Sequence, residues 1–176
     1  MTGDTDFAGD EAIVYYEDAL DEVVKRAPEA LRTMHINRGN RTIPAQYLGR
    51  LDFYMFQPGH NYEGQPEAWR LPQDFIANYP KKPMVNSEPC YEQMGASRNV
   101  YWRFTAQDCR ASVWSSILAG ASAGVTYGAH GVWNWQTSRS QGSVLGEGFD
   151  MPFRWQECLQ FAGVWDFGAI EHVLAS

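Results

Sequence analysis

Short apolar runs alternate with helix-type stretches along this chain, and that alternation constrains its fold more than any other feature. Residues 31–36, 51–57, 82–89 and 131–135 read as strands, with polar or turn-forming residues at their ends. Helical spacing of apolar residues marks 11–27, a short segment at 72–79, and a long stretch that opens at Thr105. In the first, Asp10 and Glu11 stand early and Lys25 and Arg26 late, as the helix macrodipole favours, and Pro28 stops it. In the long one, Thr105 with Asp108 three residues on resembles a capping box, and Gly120 and Gly124 mark its end. A Ser/Gly-rich loop at 137–148 precedes two further helical stretches, 152–161 and 166–174. Strands alternating with helices imply an α/β fold with a parallel sheet and right-handed crossovers. A small open sheet or part of a (β/α)8 barrel would both fit. A whole barrel needs about 250 residues, and this chain has 176, so its four (β/α) units read as half of one and residues 1–176 as a single partial domain.

Charge and motif content exclude several function classes. The formal charge of −7 argues against nucleic acid or an anionic membrane as the main partner, since both attract clustered Lys and Arg. No apolar run approaches the roughly 18 residues of a membrane-spanning helix. Cys90, Cys109 and Cys158 lack CxxC spacing, so they offer neither a zinc site nor a complete disulfide framework and read as small buried hydrophobes. A glycine-rich GxGxxG turn and a P-loop are absent from the sequence, so no nucleotide cofactor is expected.

In parallel α/β folds, sites gather at the carboxyl ends of strands. Here the first end presents His35, Asn37 and Arg38, and the second Gln57, His60 and Asn61. The third presents Asn86, Glu88, Tyr91 and Glu92, and the fourth His130, Trp133, Asn134 and Trp135. Amides and carboxylates hydrogen-bond sugar hydroxyls, and Trp or Tyr faces stack on the apolar side of a sugar ring. This group list therefore suits a sugar. Aromatics at 14% of the chain exceed what a core of this size needs. Trp133 and Trp135, alternating on a strand, are expected to face the ligand together, while Trp114, Trp155 and Trp165 fall on helical stripes and are expected in the core. Glycoside cleavage usually needs two carboxyl groups. Glu88, ending an apolar strand, is the first candidate. Asp4 is the second, if Met1-Thr2-Gly3 is the tail of a preceding strand.

Three segments carry a family resemblance: Leu51-Asp52-Phe53-Tyr54-Met55-Phe56-Gln57-Pro58-Gly59-His60, Lys82-Pro83-Met84-Val85-Asn86-Ser87-Glu88-Pro89-Cys90-Tyr91-Glu92, and Thr126-Tyr127-Gly128-Ala129-His130-Gly131-Val132-Trp133-Asn134-Trp135. With the helix that holds Asp108-Cys109-Arg110, they resemble the apiosidase-like glycoside hydrolases, (β/α)8 barrels that act on plant cell-wall polysaccharides, including pectin side chains. The resemblance implies that 31–36, 51–57, 82–89 and 125–135 are strands five to eight. It also implies that Glu88 is the nucleophile of a retaining enzyme and Asp4 its acid/base. His35, Asn37, Gln57, His60, Asn86, Tyr91, Glu92, Trp133 and Trp135 would then bind substrate, with no metal or cofactor, and export is expected of full-length relatives. Strands one to three and nearly all of strand four are missing from the pattern. A half-barrel bares two sheet edges that invite pairing with another chain. A non-catalytic glycan-binding module, or an inactive fragment of such an enzyme, is the alternative expectation.

Overall fold

The structure, a computed structural model, describes residues 4, 6–7, 9–97, 100–138 and 150–174. The expected loop at 137–148 lies mostly outside them. The described chain is an α/β fold. Helix α1 (Asp10–Arg26) is followed by a short α2 (Ala45–Leu48), strand β1 (Tyr54–Phe56), a 3-10 turn (Tyr62–Gly64) and α3 (Glu67–Asn78). Strand β2 (Met84–Asn86), a β3–β4 hairpin (Gly95–Ser97, Val100–Arg103), α4 (Ala106–Ala119) and β5 (Gly124–Val125) come next, and α5 (Trp155–Cys158) and α6 (Ala162–Leu174) close it. Strands β1, β2 and β5 form one parallel sheet in that order, with Tyr54 opposite Met84 and Asn86 opposite Val125. No helix among the described residues is long and apolar enough to cross a membrane.

The core lies between the sheet and its helices. Tyr54, Phe56 and Met84 bury one face against Leu71 and Phe75 of α3, while Met55 and Val85 on the other face are half-buried. A smaller cluster joins Cys90, Ala96, Phe104 and Cys109 beneath the hairpin. All three cysteines are free and buried. Thr105 and Asp108 make the expected capping box at the start of α4.

Four expectations need correction. Residues 31–36 run beside β1 without a regular ladder: Asp52 N–H donates to the Arg32 carbonyl at 2.8 Å and the Thr33 hydroxyl to the Phe53 carbonyl at 2.9 Å. Residues 131–135 are not a strand but successive turns, closed by Trp135 N–H on the Val132 carbonyl at 3.0 Å and Gln136 N–H on the Gly131 carbonyl at 2.8 Å. Gly131 makes the turn feasible. Its φ is +143°, and a Cβ there would strike the Phe153 carbonyl and Cys158 Sγ. Helix α3 begins well before Pro72, which sits inside it. Trp165 is 71% exposed, because α6 buries the opposite side, Gly163 and Ile170.

Candidate active site

Glu88 stands just beyond the carboxyl end of β2, and a buried chain of hydrogen bonds fixes its loop. Pro72 has no N–H to give the Ala68 carbonyl inside α3, and that carbonyl instead accepts from Ser116 Oγ of α4 at 2.8 Å. Ser116 Oγ in turn accepts from Asn86 Nδ2 at 2.8 Å, and Asn86 Oδ1 accepts from the Glu88 backbone N–H at 3.2 Å. Two helices thereby hold the loop that carries the carboxylate. Asn86 is fully buried and does not line the cavity, so it supports Glu88 from within the fold.

Both oxygens of Glu88 are engaged by histidines. His60 Nε2 lies 2.6 Å from Oε1, and His35 Nε2 lies 3.3 Å from Oε2. The other nitrogen of His35, Nδ1, lies 3.1 Å from Asp4 Oδ1, which also accepts from Gln57 Nε2 at 2.8 Å. Asp4 and Glu88 thus share one imidazole, and a carboxylate oxygen of each comes within 4.8 Å of the other. Gln57 Nε2 is itself held by the Ile36 carbonyl at 2.8 Å. The Tyr91 hydroxyl also hydrogen-bonds Glu88, and its ring leans on His60 at 4.0 Å between centroids.

Burial alone would push the Glu88 carboxyl up, but hydrogen bonds and charge from His35 and His60 outweigh it and bring it down to about 2. The carboxylate is ionised at any working pH. His35 is raised above its ordinary range, chiefly by its hydrogen bond to Glu88, against the opposing effect of burial. Tyr91 is raised by burial and by the Glu88 and Asp4 charges, so its phenol stays a donor. One donor atom each from Asp4, His35 and Glu88 gives the minimum for a cation. A metal would have to displace the His35 proton that the two carboxylates favour.

These shifts set an expected pH window for stability. A depressed Glu88 stabilises the fold above its ordinary 4.5, and that contribution is lost as pH falls toward 2. A raised His35 stabilises below its ordinary 6.5, and that contribution is lost as pH climbs through its folded-state value. For the shared interaction, counted once, the drop from 4.5 to about 2 corresponds to on the order of 3 kcal/mol. The melting temperature should therefore peak between about pH 4.5 and 6.5, and His35→Gln should flatten the alkaline fall. Parallel melting curves for the two proteins across pH 6–9 would contradict this.

Around these groups lies an open cavity of about 620 Å³, lined by Asp4, Gln57, His60, Glu88, Tyr91 and Trp133, and also by Arg38, Gly59, Asn61 and Met94. Arg38 and Asn61 are strand-end polar groups outside the sugar-binding set expected from sequence. Met94, in the loop before the hairpin, carries no sequence signal. Gly59 has φ +79°, and a Cβ there would clash with the Arg38 side chain. His35 sits between the two carboxylates without lining the cavity.

Three other expected ligand residues lie elsewhere. Glu92 is buried, and its Oε2 accepts from the Tyr127 hydroxyl at 2.6 Å and the Gly163 N–H at 2.9 Å, so it ties α6 to the loop after β5. Asn37 does not line the cavity, and its Oδ1 is buried without a partner. Trp135 does not share a face with Trp133. It stacks on Trp155 at 4.5 Å and 12°, with its backbone at φ +50°, a strained region for a bulky residue. Trp133 instead stacks beside His130, a buried histidine that desolvation holds down to about 4 and therefore neutral.

Several solved structures resemble this fold, two of them described as glycoside hydrolases. One, described as a glycoside hydrolase, superposes with a TM-score of 0.77 at 23% identity, over 97% of this chain and 40% of its own length. The other, a glycoside hydrolase family 5 protein from Bacteroides vulgatus ATCC 8482, gives 0.79 at 22%, with the same coverage. The chain thus spans about two-fifths of the length of these structures, and its parallel α/β units fit part of a barrel. No curated protein matches the sequence. The catalytic domain of the apiosidase-like family matches residues 1–176 in full, and the chain therefore belongs to that family.

Proposed function

We propose that this chain supplies the carboxyl-terminal half of a retaining glycoside hydrolase barrel, strands five to eight, acting on plant cell-wall or pectin-type polysaccharides. One observation carries the proposal: two carboxylates from distant points of the chain approach within 4.8 Å in one cavity, bridged by His35. That spacing suits the roughly 5–5.5 Å of retaining enzymes. Inverting enzymes hold a water between carboxyl groups about 6.5–9.5 Å apart, a wider gap.

In this reading the Glu88 carboxylate attacks the anomeric carbon. Asp4, protonated from solvent beforehand, gives that proton to the departing oxygen, and the sugar becomes an ester on Glu88. Asp4 then takes a proton from a water that attacks the same carbon, which frees Glu88 and releases the sugar with its configuration retained. The environments fit the roles. Glu88 is enclosed and ionised, with 18% of its side chain exposed, whereas Asp4, at 66%, stands where water and a leaving group can reach it. His60 and Tyr91 orient Glu88, Gln57 orients Asp4, and Trp133 offers a stacking face.

A second reading has its own support. The chain spans two-fifths of the structures it resembles, and Leu31, 78% exposed, lies open at the start of 31–36. On that reading the chain binds glycan without turnover, or completes its site by pairing with another chain. Proton NMR of an aryl glycoside digest decides between them. The first-formed anomer should keep the substrate's configuration. An inverted product would overturn the retaining assignment, and binding without turnover would favour the second reading.

A further inference from the structure

A second concavity of about 460 Å³ lies between the first turns of α3 and α4 and the β3–β4 hairpin, apart from the carboxylate pair. It is lined by Tyr62, Trp69 and Trp102, with Glu63, Asp108 and Ser112 among them. Trp69 is 42% exposed and Tyr62 59%, large aromatic areas left in water around one groove. Arg70 covers one face of the Trp69 ring at 5.1 Å, and the edge-to-face contact of Tyr62 with Trp102 at 5.7 Å fixes the wall opposite. Ser112 is the independent sign of a ligand. It is 95% buried (5% exposed), lines the groove, and its Oγ has no hydrogen-bond partner. Buried hydroxyls are nearly always satisfied, so a ligand or water is called for there. Asp108 uses only Oδ2 in its helix cap.

We propose that this groove is a second carbohydrate-binding site, one that holds neutral sugar residues of the same polysaccharide away from the cleavage point. The choice of a glycan rests on the glycosidase reading above. The choice of a neutral one rests on the groove itself: planar aromatic faces suit the apolar side of a sugar ring, while two carboxylates accept from hydroxyls and repel uronates. The same loop serves both sites. Gly59, His60 and Asn61 line the first cavity, while Tyr62 and Glu63 line the groove. A chain of sugars crossing that loop would engage both.

The test is affinity electrophoresis in gels containing arabinan, galactan or xyloglucan, with polygalacturonate as the anionic control, together with turnover of a short aryl glycoside. Wild type should be retarded by at least one neutral polymer and not by polygalacturonate. Trp69→Ala should weaken that binding about tenfold and leave aryl-glycoside turnover unchanged. Ser112→Ala should weaken it too without lowering the melting temperature, because its hydroxyl has no partner in the protein. Binding that neither variant alters, retardation by polygalacturonate alone, or a Trp69-dependent self-association in place of glycan binding would each overturn the proposal. Trp69-dependent binding in a chain with no turnover would uphold the groove and sink the catalytic reading. Turnover with Trp69-independent binding would do the reverse.

Discussion

Glu88→Gln should lower turnover of an aryl glycoside by on the order of 10⁴-fold or more, and should spare glycan binding. The substitution keeps the shape of the side chain and removes its charge. An amide oxygen can still accept from His60, now 2.6 Å from Oε1, and the backbone cap from Asn86 does not involve the side chain. What disappears is the attacking carboxylate and the ester it would form. The wild-type acid limb of activity should also lie well below pH 4.5, because a carboxyl brought down to about 2 stays ionised through that range. A slowly hydrolysed fluorosugar should leave its mass on the tryptic peptide that contains Glu88. An adduct on another peptide, or a Gln variant within tenfold of wild type, would remove Glu88 from the nucleophile's role.

The parts of this site that are legible in sequence are those set by local pattern. The apolar Met84-Val85 pair followed by Asn86-Ser87-Glu88-Pro89 announces a strand and its polar end, and the structure puts β2 and the enclosed carboxylate there. Gln57 and His60 follow the same logic after β1 and line the same cavity. The parts that fail depend on partners far along the chain. Asn86 and Glu92 share with the cavity-lining groups an amide or carboxylate at a strand end. What makes them framework is Ser116, 30 residues on, and Gly163, 71 residues on. Trp133 and Trp135 alternate like strand residues, but Gly131 turns the chain before them and sends one indole to His130 and the other to Trp155. The bridging role of His35 needs both carboxylates in place, and no spacing along the chain encodes that. Nor does helical periodicity mark the groove beside α4, whose lining comes from a loop, a hairpin and two helix starts.

Asp4→Asn should separate the two halves of the reaction by leaving group. Asparagine preserves an oxygen that can accept from Gln57 Nε2 and stand near His35 Nδ1, contacts now at 2.8 and 3.1 Å. It has no proton to donate and cannot take one from water. Glycosides with poor leaving groups should therefore lose about 10²–10⁴-fold. A dinitrophenyl glycoside leaves without protonation, so Glu88 should still be glycosylated at close to the wild-type rate. Return of the enzyme by water should then be slow, giving a stoichiometric burst of dinitrophenol followed by a crawl. The burst is the decisive feature, because loss of a merely structural aspartate would depress every substrate alike and accumulate no intermediate. Equal losses for good and poor leaving groups, with no burst, would mean that Asp4 only holds His35 in place and that the proton donor lies elsewhere.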